Sequence, residues 1–206
     1  MKVLLINGSP HEKGCTYTAL GLIAGELNAA GIETEILNVG TKPVGGCIGC
    51  GGCRSGNGCV FGGVVNEAIE KAKTADAFVF GSPVHYASAA GNMASFMDRL
   101  AYAGGKYLAY KPAAVCCSAR RAGTTSTLDQ LVKYPQFFHM PLVNGSYWAM
   151  VHGSNPEQVL QDAEGCAVMQ ELGRNMAWLL RCIEAGKAAG IDHPQNPPRP
   201  MTSFIR

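Results

Sequence analysis

The stretch KVLLINGSPHEKGCTYTALGLIAGELNAAG, residues 2–31, decides how the chain is read. Residues 2–7 are a short continuous apolar run, the mark of a strand covered on both faces, and Asn7-Gly8-Ser9-Pro10 ends it abruptly. From Thr16 the apolar positions Leu20, Ile23, Ala24 and Leu27 recur at helical spacing. Gly31 stands where a left-handed helix cap is favoured. A buried strand, a small-residue loop and an amphipathic helix thus form the first unit.

The same unit returns down the chain. TEILNV (34–39) precedes a helix through Val65, Ala68, Ile69 and Ala72, and AFVFGS (77–82) precedes one through Met93, Phe96, Met97 and Leu100. AAVCCS (113–118) leads into a helix carrying Leu128, Leu131 and Val132 and stopping near Pro135. MPLVNGS (140–146) precedes a single long helix from about Pro156 to Ala185. Five apolar strands alternating with helices predict a doubly wound, three-layer α/β domain with a parallel sheet of order 2-1-3-4-5. Ligands in such sheets sit at the carboxyl ends of the strands, near the point where the strand order reverses.

The 206 residues suit one domain, expected over 1–192, followed by a proline-rich tail over 193–206. A net charge of +2 with 16% charged residues gives no large basic field, so neither nucleic acid nor a membrane surface is expected as a partner. The opening apolar run is too short for a signal sequence or a membrane span, and a cytoplasmic protein is expected. In a reducing compartment nine cysteines point to free thiols, metal ligands or redox groups rather than a disulfide framework.

Three loops after predicted strands carry the candidate chemistry. NGSPHEKGCTYT (7–18) opens into a helix whose first amides, with the hydroxyls of Ser9, Thr16 and Thr18, suit a phosphate, although an ordinary capped turn has the same look. It lacks the spacing of a nucleoside triphosphatase loop and of a dinucleotide fingerprint. GSPVHYASAAG (81–91) joins His85 and Tyr86 to small residues that let backbone approach a flat ring. CSARRAGTTST (117–127) brings Arg120 and Arg121 to the same edge, as charge partners of an anion or as a solvated pair. Cys116 and Cys117, within a strand, read as buried inert thiols. Tyr147 and Trp148 are candidate ring or substrate platforms, or packing residues.

GSPHEKGCT, CIGCGGCRSGNGCV and GSPVHYASAAGNMASFMDR, in this order and spacing, resemble the flavodoxin-like NADPH-dependent FMN reductase family, including its iron-sulfur flavoprotein branch. The resemblance spans residues 1 to about 185 and implies a flavodoxin-like fold. It implies FMN, with Ser9, His11, Cys15, Thr16 and Tyr17 at the phosphate. Pro83, Val84, His85 and Tyr86 would lie at the ring, with further contacts from Ser118, Arg120, Arg121 and Gly123. It further implies an NAD(P)H donor, a small acceptor (a quinone, an azo or nitro compound, or flavin), chemistry at flavin N5 with no catalytic side chain, and a homodimer or homotetramer. Cys15, His85 and Ala119-Arg120-Arg121 depart from the residues common in this family.

The loop VGGCIGCGGCRSGNGCVFGG (44–63) packs Cys47, Cys50, Cys53 and Cys59 at C-x2-C-x2-C-x5-C spacing. Four thiolates so spaced can wrap a [4Fe-4S] cluster, resembling ferredoxin runs with a longer last gap. Free thiols lining a pocket, a zinc site and a Cys47–Cys50 dithiol are the other readings.

Overall fold

The computed structural model describes residues 1–204. Its main sheet is parallel and contains β1 (Lys2–Asn7), β2 (Glu33–Asn38), β3 (Ala77–His85), β5 (Ala113–Ala119) and β6 (Met150–His152), in the order β2-β1-β3-β5-β6. A two-residue strand, β4 (Ser88–Ala89), folds back antiparallel on the end of β3. The helices are α1 (Cys15–Ala29), α2 (Val64–Thr74), α3 (Gly91–Gly104), α4 (Thr124–Phe137), α5 (Pro156–Val159) and α6 (Ala163–Ala188).

Side chains alternate across a strand, and β1 shows what that does here. Val3 and Leu5 enter one core with α1 and α6, whereas Leu4 and Ile6 enter a second core with α2 and α3. Both faces of the sheet are therefore apolar, and helices cover both. The first core joins Leu20, Ile23 and Leu27 to Met169, Leu172 and Met176; the second stacks Phe78 and Phe80 against Met93, Phe96 and Met97. Among the described residues no helix is long and apolar enough to cross a membrane.

Two expectations need correction. MPLVNGS is not the fifth strand: it makes one isolated bridge, Ala113 to Leu142, and then leaves the sheet. Glu171 draws it away, its carboxylate accepting from the backbone N–H (2.8 Å) and hydroxyl (2.6 Å) of Ser146. The sheet is completed instead by the three residues of β6, so the expected order holds with its last strand moved along the chain. The long final helix is interrupted between α5 and α6, because Asp162 caps a new helix by accepting from the Gly165 N–H at 2.9 Å. The fourth helix ends at Phe137, within two residues of the expected stop near Pro135. From Ile191 the described chain has no regular structure.

Candidate functional site

At the carboxyl edge of the sheet β1 ends in Asn7, which is fully buried and anchors the loop that follows. Its amide donates to Asn38 Oδ1 (2.8 Å) and to the carbonyls of Glu12 (3.2 Å) and His11 (3.5 Å). Its Oδ1 accepts from the Ser9 N–H at 3.1 Å, and Ser9 Oγ accepts from the His11 N–H at 3.1 Å. The loop then enters α1 behind Gly14, and no side chain caps that helix. An uncapped N-terminus leaves first-turn amides for an outside acceptor. Thr16, also buried, pairs its hydroxyl with that of Ser118 on β5 at 2.8 Å. Two hydroxyls hold two protons and their mutual bond uses one, so one remains to donate. Cys15 directs its thiol to the Gly153 carbonyl at 3.6 Å, and burial pushes that thiol up from its ordinary value. His11 is exposed and Tyr17 half-buried.

The end of β3 forms the second wall. Ser82 is buried; its hydroxyl accepts from the Ala90 N–H at 3.0 Å and donates to the Pro83 carbonyl at 2.9 Å. Val84 and His85 pair with Ala89 and Ser88, leaving Tyr86 and Ala87 as a two-residue hairpin tip with φ of 50° and 58°. That turn demands left-handed backbone at both positions, which glycine or asparagine would adopt more cheaply. A side-chain residue held there costs about 1–3 kcal/mol, a strain typical of ligand loops. The tip is held by Ser126, whose hydroxyl donates to the Ala87 carbonyl at 2.7 Å, and by Gln130 Oε1, which accepts from Ser88 and from the Ala89 N–H. Pro83 and Val84 are half-buried, and Tyr86 is fully exposed.

The loop after β5 closes on this tip. Gly123 has φ of 92°, and a Cβ placed there would fall 2.7 Å from Ala87 Cα and 2.9 Å from Val84 Cγ1. Only glycine allows both the backbone angle and the approach. Arg120 and Arg121 are exposed, and their side chains join no ion pair among the described residues. The Arg121 carbonyl lies 3.1 Å from His152 Nε2 at the end of β6. Four strand ends therefore meet at one edge, and the sequence-predicted residues Ser9, Thr16, Val84, Ser118 and Gly123 come together there. His85, Arg120 and Arg121 flank them without a side-chain link to the cluster. The contributions of His152 and Gly153 were missed, because the strand that ends at His152 is only three residues long.

The four-cysteine loop lies elsewhere, along α3. Asn92 fixes its start, donating to the carbonyls of Gly40 and Lys42 and accepting from the Val44 N–H. Arg99 and Tyr102 lie about two to three turns further, about 10–15 Å along the helix at 1.5 Å per residue. There Cys47, Cys50, Cys53 and Cys59 line a single cavity of about 170 Å³ together with Arg99 and Tyr102. Asn66 brackets Cys59, accepting from its N–H at 2.8 Å and donating to its carbonyl at 3.0 Å. All nine cysteines are free thiols. Among the described residues no three Cys, His, Asp or Glu side chains gather closely enough to hold one metal ion, so a single zinc is poorly served. A four-iron cluster takes one thiolate at each of four separated corners, and four cysteines lining one cavity are a donor set that fits it. Cys116 and Cys117 are buried as expected, and burial pushes Cys117 up to about 12. Tyr147 and Trp148 are exposed and border a different groove with Leu128 and Val132.

The residues of the sheet edge fit FMN on the chemistry of their donors. An uncapped helix N-terminus with a free hydroxyl proton suits a phosphate, and a strained hairpin tip beside two loops suits a flat ring. Known proteins point the same way. The chain is 28% identical over 192 residues to an iron-sulfur flavoprotein of Methanocaldococcus jannaschii, covering 89% of this chain and 100% of that protein. An iron-sulfur flavoprotein of Archaeoglobus fulgidus is 34% identical over 99 residues, 48% of each chain. Among solved structures, RosB with bound 8-demethyl-8-formylriboflavin-5′-phosphate superposes with a TM-score of 0.69 at 15% identity, over 100% of this chain and 94% of that one. The apo form of an NADH:FMN oxidoreductase gives 0.60 at 19% identity, over 88% of this chain and 89% of that one, and both likenesses speak for the fold. The family model described as NADPH-dependent FMN reductase matches residues 1–155, and the chain belongs to that flavodoxin-like oxidoreductase family.

Proposed function

We propose that this protein is an FMN-dependent oxidoreductase that draws electrons from NAD(P)H and passes them to a small acceptor such as a quinone, an azo or nitro compound, or free flavin. The observation that carries this reading is the meeting of four strand-end loops beside the uncapped start of α1. When bound, FMN supplies the redox chemistry, taking hydride at N5 and handing electrons on. The protein's part is to bind and orient. First-turn amides with Ser9, His11, Cys15, Thr16 and Tyr17 would hold the phosphate, and the Thr16–Ser118 pair would donate its free proton to it. Pro83, Val84, His85 and Tyr86 would lie along the ring, with Arg120, Arg121 and Gly123 closing it from β5. The exposed guanidiniums of Arg120 and Arg121 would balance negative charge on ring or substrate.

A second reading is an electron relay between protein partners, with FMN and a [4Fe-4S] cluster on Cys47, Cys50, Cys53 and Cys59. The shared cavity of those four thiols supports it. Assembly as a homodimer or homotetramer is consistent with Ile48, Val60 and Phe61 around that cavity, which are 70%, 62% and 55% exposed. A cytoplasmic setting agrees with nine unpaired thiols.

Steady-state oxidation of NADH and NADPH with a quinone acceptor separates the two readings. Sustained turnover of about one per second or faster supports the reductase. Reduction of bound flavin by nicotinamide without turnover supports the relay. Gly8→Val tests the site itself: a Cβ at Gly8 falls 2.7 Å from Met93 Sδ, so the variant is expected to lose FMN. Full flavin occupancy in Gly8→Val would show that the loop after β1 is not the phosphate site.

A further inference from the structure

Arg99 is a charged side chain where charge is costly. It is only 6% exposed, on the helix whose inner face is Met93, Phe96, Met97 and Leu100. Burying a cation without an anion is strongly unfavourable. Yet Arg99 joins no ion pair among the described residues. Its Nε donates to Cys59 Sγ at 3.2 Å, and its two terminal nitrogens donate to the carbonyls of Gly62 (2.9 Å) and Gly45 (3.4 Å). Phe61 lies against it with 5.5 Å from the guanidinium carbon to the ring centre. The neighbouring carboxylate, Asp98, is engaged elsewhere, accepting from the Tyr134 hydroxyl at 2.6 Å. The cavity is lined by a second guanidinium, that of Arg54, and by no Asp or Glu. Two cations, four thiols and no acid describe a cavity built for an anion.

We propose that Arg99 is the fixed counter-charge of the four-cysteine cavity and that its bond to Cys59 Sγ raises the reduction potential of the iron-sulfur cluster held there. The inference rests on the cluster reading given above. Four thiolates on a four-iron cluster give a net negative assembly. One added electron, from reduced flavin, makes it more negative by one unit with no bond formed or broken. A guanidinium donating to a ligand sulfur stabilises the more negative state more than the less negative one, and hydrogen bonds and net charge at the sulfurs are known levers on such potentials. Arg99 also pins Gly45 and Gly62, the two ends of the loop, so the same side chain that holds the thiols in place supplies their charge.

The test compares the wild type with Arg99→Gln, which removes charge and keeps length, and Arg99→Lys, which keeps charge and loses the planar fork. Each full-length protein is reconstituted anaerobically with ferrous iron and sulfide and assayed for iron and flavin. The cluster is then titrated with a reduced viologen, a one-electron donor, and followed by electron paramagnetic resonance. The wild type is expected to hold about four irons per chain. Arg99→Gln should show a reduced-to-oxidised ratio about tenfold lower at the same solution potential, ~59 mV for one electron, and Arg99→Lys should return close to the wild-type ratio. Iron uptake by Arg99→Lys but not by Arg99→Gln also supports the charge. An unchanged potential in Arg99→Gln overturns the inference and leaves Arg99 a clip between loop and helix. Loss of iron from both variants, with flavin retained, overturns it too, since the charge is still present in one of them. A wild type that takes up flavin and no iron overturns the cluster reading itself and this inference with it.

Discussion

At the scale of single residues, the candidate site depends on polar side chains buried for what they bind rather than for what they fill. Asn7 is the clearest case, with every polar atom of its side chain bonded across three segments of chain. Asn7→Ala should cost about 1–3 kcal/mol, the penalty for buried groups left unpaired, and should weaken FMN binding because the loop after β1 loses its anchor. A urea midpoint and a flavin titration read both effects; an unchanged midpoint would show that the loop holds its shape without Asn7. The sequence offered Asn7 only as the end of an apolar run, and it did not single out Arg99 at all. The partners of Arg99 lie 37 to 54 residues away in the chain and Asn38 lies 31 from Asn7, so no local pattern could reveal those contacts. The four cysteines were different, since close spacing makes them legible as a group before any fold is known.

At the scale of elements, β1, β2 and α2 are tied at a corner by Glu35, which bonds Lys2 at 2.8 Å and Lys71 at 2.6 Å. The Lys2 hydrogen bond first, then that of Lys71, holds the Glu35 carboxyl below its ordinary value of 4.5. A depressed carboxyl contributes stability above its unfolded value and loses it as pH falls through the folded one. Melting curves of the wild type and Glu35→Gln should therefore differ by a small, constant amount at neutral pH. The gap should begin to close as pH falls below about 4.5 and be gone once pH has passed the lower folded value, where both side chains are neutral. A gap that persists in acid would mean that Glu35 acts through packing. The helices α1 to α4 were legible because apolar stripes are local signals. The break between α5 and α6 was not, because Asp162 reads as one more polar position until it is seen to cap a helix and to accept the His152 N–H at 2.8 Å. The lone bridge at Leu142 has the same cause: an apolar run was present, but Glu171, 25 residues on from Ser146, took the chain that follows it.

At the scale of the whole molecule, two cores on a shared sheet leave the tail without a structural task. It touches the surface through contacts that include His193 stacked on Tyr110 at 4.3 Å, Asn196 donating to the Tyr110 hydroxyl at 2.6 Å, and Arg199 over Phe137. Deleting the chain from His193 onward should change stability by no more than about 0.5 kcal/mol and leave FMN bound, as urea unfolding and flavin absorbance would show; a large loss would mean that the tail closes a core. The sequence by itself determined the layers, the order of the sheet and the edge at which loops gather. Burial on both faces makes each strand a continuous apolar run, burial on one face gives each helix a period of 3.6, and those patterns survive without knowledge of any distant partner. Only the tertiary structure decided where the last strand lies, which hydroxyl pairs with Thr16, and that a buried arginine faces the four thiols. Those outcomes depend on contacts between segments far apart in the chain, where geometry and not composition selects the partner.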